Sequence, residues 1–296
     1  MAKTQNVLFD VQGPRGRRIS AALNVLGVLL AAALAWIVLG ELAEKGQLDA
    51  EKWTPLLTAR AWENFLLPGL WDTLRAALLA VVLSIAFGLV FGLGRLSQLG
   101  PVRWVSTVVV EFFRAVPVLV MMIFFYLGIG RAGLVEPSNV PFWAVVLGLM
   151  FYNGSVIAEL IRSGVHQLPK GQREAGLVIG LTPSRSLRLI ELPQALTAML
   201  PSLVSQFVVI LKDTALGYII TYPELLASGR RLGSGDGNIL QTLFVVALVF
   251  VLINYLLTLL AAWLSRFLSY RTGGSTKPAE GPLAAEEAAV GDPLSR

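Results

Sequence analysis

Six long apolar runs, at about 19–40, 69–94, 105–128, 141–161, 198–220 and 239–264, alternate with polar segments. A hydrocarbon core about 30 Å thick is crossed by roughly 20 helical residues, and inside it the backbone must bond to itself. The pattern therefore predicts an all-α, polytopic membrane bundle of six spans. The first run follows Arg15, Arg17 and Arg18, the charge pattern that also opens a signal peptide. It exceeds the usual signal core of about 7–15 residues, so 19–40 is read as a retained anchor behind a short tail, 1–18.

The polar segments differ in character. The 41–68 segment and the start of the second run carry Trp53, Trp62 and Trp71, placed where amphipathic indoles favour a membrane interface. The 162–197 connection is longer than joining two helices requires, and it predicts two short helices. In the first, Ala175, Val178 and Ile179 fall at helical spacing opposite Gln172 and Arg173, and Gly176 and Gly180 leave room for a close backbone neighbour. Thr182 and Pro183 suit the cap and first position of the second. Leu187 and Ile190 form its apolar face, and Pro193 is expected to end or bend it. The segment 271–296, rich in Gly, Pro, Ala and Glu, is expected to be disordered.

Composition narrows the function. Hydrophobic residues make up 55% of the 296 and charged residues 15%, with a mean hydropathy of +0.68. With no cysteine and a single histidine, His166, no metal centre or cofactor is expected in this chain. The net charge of +5 is a matter of placement. With the N-terminus inside, 15 of the 24 Lys and Arg fall in inside segments and 6 in outside segments. Such a bias predicts both termini cytoplasmic and calls for no nucleic-acid partner. Neither a phosphate-cradling Gly-x-x-x-x-Gly-Lys-Ser/Thr nor a Gly-x-Ser-x-Gly elbow occurs, so no enzymatic site is expected.

Within the connection, Glu174-Ala175-Gly176, three residues, Gly180, nine residues, then Ile190-x-Leu192-Pro193 resembles the signature loop of membrane subunits of ATP-binding cassette (ABC) importers. Alanine is usual in that family where Gly176 stands. Glu111 to Pro117, Gly154 to Arg162 and Lys212-Asp213-Thr214-Ala215-Leu216 resemble other stretches of the polar amino-acid permeases, and the details are most similar to the glutamate-type branch. The resemblance spans about 70–265 and implies a five-helix core, 69–265, with one added N-terminal helix. It further implies a multi-pass protein of a bacterial plasma membrane whose 162–197 loop couples to an ATP-binding cassette ATPase dimer through Glu174, Ala175, Gly176, Gly180, Ile190, Leu192 and Pro193. Its other implied partners are a second permease subunit, identical or homologous, and an extracytoplasmic amino-acid-binding protein.

Ionisable residues within spans need partners or water. Glu111 and Arg114, three apart, can pair. Arg114, Glu159, Lys212, Asp213 and Thr214 are candidates for the substrate path, the cations answering a substrate carboxylate; internal pairs that fix helix positions are the alternative. Gly88 and Gly92 permit close helix contact, within the chain or between subunits. The rival to an ATP-driven importer is a secondary transporter driven by an ion gradient, which would explain the intramembrane charges but leave the long loop without a role.

Overall fold

The computed structural model describes residues 13–272. The N-terminal tail up to 12, and the expected disordered tail from 273 onward, lie outside the described residues. Among the described residues the regular structure is helical throughout. The main elements are α1 (Pro14–Glu44), α2 (Ala59–Arg95), α3 (Gly100–Ala115), α4 (Val118–Ala132), α5 (Val140–Gln167), α6 (Lys170–Val178), α7 (Leu192–Asp213), α8 (Leu225–Gly235) and α9 (Ile239–Thr272).

Five stretches are long and apolar enough to cross a membrane, in α1, α2, α5, α7 and α9. The run expected as a single helix over 105–128 is instead broken. α3 and α4 meet at 100°, with Val116 extended and Pro117 capping α4. The proline ring excludes the helical conformation at the residue before it, so the apolar run continues while the helix does not. Counted as one broken span, the bent pair brings the crossings to six.

Two other prolines leave their helices intact. Pro68 and Pro193 are each preceded by one wide, π-helical turn, Trp62–Leu66 and Leu187–Glu191. Such a turn makes room for the ring and for the hydrogen bond it cannot donate. Pro193 therefore neither ends nor bends its element as the sequence suggested; it opens α7, which runs on to Asp213.

α2 and α5 form the centre of the bundle. A Cβ on Gly88 would come within 3.1 Å of the Gly154 carbonyl, and one on Gly92 within 3.1 Å of the Ala158 carbonyl. These glycines therefore serve close packing inside the chain. Around them Ala76, Ala80, Met122, Ala144, Val145, Leu149 and Ile210 form a buried core.

At the end opposite the 168–192 connection a second cluster joins Leu56, Ala61 and Leu66 to Leu225, Leu232 and Val246. Trp53 and Trp62 pack against it, and the Trp62 Nε1 donates to the Leu56 carbonyl at 2.9 Å. Trp71, at the same end, is 66% exposed. Fully buried Glu224 caps α8, accepting from the N–H groups of Leu226 and Ala227. α1 stands apart, with none of its apolar window buried by the rest of the chain.

Candidate functional site

The long connection folds as a compact hairpin. α6 ends at Gly180, whose φ of +86° is left-handed. Its N–H bonds the Leu177 carbonyl, and the N–H of Leu181 bonds that of Gly176, closing the helix end. Within the chain, open space surrounds Gly180, and what it supplies there is the turn. Gly176 makes the close approach. A Cβ there would lie 2.7 Å from the Ser186 Oγ and 3.0 Å from the Ile190 Cδ1. Thr182 caps the returning strand of the hairpin, accepting from the N–H of Arg185, with Pro183 at its start.

Two residues that the sequence reading passed over lock this hairpin. The Ser186 Oγ donates to the Glu191 Oε1 at 2.9 Å, and both are buried. The tip turns apolar side chains outward: Val178 is 86% exposed and Ile179 74%. With Ala175 exposed beside them, the predicted apolar stripe faces away from the chain. Glu174 is exposed as well, whereas Ile190 and Leu192 are half-buried at the hairpin's base.

Above the hairpin, five charged side chains from three helices form one cluster. Arg95, at the end of α2, is 7% exposed; its Nη2 lies 2.9 Å from the Glu111 Oε1 and its Nη1 2.8 Å from the Glu159 Oε2. Arg114 reaches both carboxylates at 3.4 and 3.6 Å. Arg162 grips Glu159 at 2.6 Å. The cluster thus ties α2, α3 and α5 together and satisfies charges that would otherwise be costly within a membrane. Arg114 and Glu159, candidates for the substrate path, are here committed to one another, and Glu159 also to Arg95, which was not among the candidates.

The remaining candidates lie elsewhere. Thr214 is fully buried and donates its hydroxyl to the Leu211 carbonyl at 2.6 Å. Asp213 is half-buried where α7 gives way to a 3₁₀ stretch, Thr214–Ile220. Lys212 differs from the cluster arginines: its side chain is exposed, and among the described residues it makes no hydrogen bond or ion pair. Near the opposite end of the bundle Arg75 pairs with Asp72 at 3.0 Å and lies over the Phe142 ring.

The family model described as binding-protein-dependent transport system inner membrane component matches residues 76–270. The chain belongs to this family. The hairpin, the charge cluster and the spans after α2 fall in the matched region, which begins within α2. The glutamate transport system permease protein GluD of Corynebacterium glutamicum is 48% identical over 236 residues, covering 80% of this chain and 86% of that protein. The glutamate/aspartate import permease protein GltK of Escherichia coli is 30% identical over 207 residues, covering 68% and 92%. Among solved structures, a chain of an amino acid ABC transporter crystallised with histidines superposes with a TM-score of 0.64 at 26% identity, over 71% of this chain and 97% of that one. The chain is a multi-pass permease subunit of an ABC importer, and the gradient-driven alternative falls away.

Proposed function

We propose that this permease forms half of an ATP-driven import pathway for an acidic amino acid, glutamate or a close relative. Its partners in this reading are a second permease subunit, an ATPase dimer docked on the exposed tip of the hairpin, and an extracytoplasmic binding protein. Closure of the ATPases moves α6 as a rigid body, and the hairpin passes that motion through α7 and the Arg95 cluster to the spans. Glu174, Ala175 and Gly180 shape the docking tip; Gly176, Ile190, Leu192 and Pro193 fix it to α7. The hairpin and both termini lie on the cytoplasmic side, as the Lys and Arg bias favours.

The observation that carries the substrate class is Lys212. A lysine in the last turn of a span, with only the neighbouring Asp213 carboxylate as counter-charge, favours a watered passage or the second subunit over lipid, and there a substrate carboxylate can answer it. The permeases of similar sequence are named for glutamate and aspartate transport, in keeping with this. A hydrogen bond to a charged group contributes about 1.5–3 kcal/mol, so Lys212→Gln should weaken glutamate uptake about tenfold or more relative to glutamine. Equal loss for both substrates at unchanged protein level would take Lys212 off the path.

Orientation is tested separately. The absence of native cysteine leaves a clean background. Asn139 and Ser184, both exposed, lie toward opposite ends of the bundle. An impermeant thiol reagent added to intact cells should label Asn139→Cys and leave Ser184→Cys untouched; the reverse pattern would invert the topology.

A further inference from the structure

A groove of about 910 Å³ opens between the α2–α3 corner and the hairpin, at the same end of the bundle as the charge cluster. Arg103, Arg162, Lys170, Arg173 and His166 line it, against two carboxylates, Glu174 and Glu191. The carboxylates do not neutralise it. Glu191 is buried and engaged with Ser186, and Arg162 is held by Glu159. Lys170 and Arg173 are exposed and make no ion pair or hydrogen bond among the described residues, and Arg103 has only a 3.4 Å contact with the Ser97 carbonyl. Arg103, Lys170 and Arg173 therefore face one concavity against a single uncommitted carboxylate, Glu174, which leaves the groove net positive.

The edge of the groove is apolar. Arg103 and Thr107, one helical turn apart on α3, face the groove. The neighbouring face of the same helix exposes Trp104 at 67%, Val105, Val108 and Phe112. A cationic pocket bordered by an exposed apolar helix face with a tryptophan at its rim, in a chain that spans a membrane, matches a molecule with a negative head and apolar tails. The apolar face belongs to a membrane crossing in any case; a lipid lying along it would place its headgroup at the groove, which a free anion has no reason to do.

We propose that this groove holds the headgroup of an anionic phospholipid, with its acyl chains along the Trp104–Phe112 face of α3. The headgroup phosphate bridges Arg103 on α3 to Lys170 and Arg173 on α6, so the lipid ties the hairpin to the bundle at a point separate from the exposed tip at Val178 and Ile179.

The test uses the full-length chain purified with its partner subunits from membranes containing phosphatidylglycerol and phosphatidylcholine, with retained lipid read by native mass spectrometry. Wild type should keep phosphatidylglycerol through delipidation, and the triple variant Arg103→Gln, Lys170→Gln, Arg173→Gln should keep roughly tenfold less. Phosphatidylcholine should be retained equally by both. A charge-keeping variant, Arg103→Lys with Arg173→Lys, should hold the lipid. If the triple variant does not accumulate, thermal unfolding of wild type decides: added phosphatidylglycerol should raise its midpoint and phosphatidylcholine should not. The proposal is overturned if the triple variant retains phosphatidylglycerol as wild type does, or if added inorganic phosphate empties the site as a free-anion site would allow. It is equally overturned if the triple substitution instead releases the ATPase or the second permease subunit while lipid stays bound, which would make the groove a protein-docking surface.

Discussion

Replacing Gly176 with leucine should abolish ATP-driven uptake while leaving membrane insertion intact. The glycine sits where α6 presses on the returning limb of the hairpin, and even a methyl group would meet the Ser186 Oγ at 2.7 Å. Ser186 cannot swing aside freely, because it is bonded to buried Glu191. A leucine must therefore push α6 off the 183–191 segment. Overpacking of this kind costs about 1–3 kcal/mol, which lowers the population of the docked hairpin roughly 5- to 150-fold. The residue lies outside the spans, so the amount of chain in the membrane should not change. Gly176→Ala, which needs only a small shift, should keep a substantial part of the activity. Uptake and membrane abundance measured together decide the matter, and normal uptake by a fully inserted Gly176→Leu protein would remove the hairpin from the coupling path.

The second large effect is expected from Arg95→Gln. Its guanidinium is nearly enclosed and lies between Glu111 and Glu159. Removing one member of a buried pair costs about 3–5 kcal/mol; Glu111 is half exposed, so solvent screening places the loss at or below the low end of that range. The thermal midpoint of the purified complex should fall and transport of all substrates should drop together. Adding Glu111→Gln should restore part of the stability, since without Arg95 that carboxylate keeps only Arg114 at 3.4 Å, whereas Glu159 keeps Arg162. A double variant no more stable than Arg95→Gln alone would show that the cluster does not act as a unit.

The spans were legible because a long apolar run has few other uses, and α2, α5 and α9 fall where the runs fall. The break at Val116 and Pro117 was hidden because apolar side chains run on through it from Ala115, so hydropathy carries no mark of the bend and only the proline does. The loop signature located the hairpin, yet it did not distinguish its two glycines. Spacing alone cannot separate Gly176, which makes room for a neighbour, from Gly180, which supplies a left-handed turn in open space. Arg95 escaped notice because its partners are 16 and 64 positions away, and the sequence shows only an arginine at the end of a span. Ser186 and Glu191 were missed for a related reason: a buried polar pair has no periodic signature, though a glutamate directly before Leu192-Pro193 in an apolar stretch was a signal available to be read.

Uptake of labelled glutamate into proteoliposomes holding the permease and its ATPase, with the binding protein outside and no ion gradient, tests the central claim most directly. Import should require ATP within the vesicles and should vanish with Gly176→Leu while the complex stays assembled. Import that proceeds without ATP, or that follows an imposed ion gradient, would contradict it.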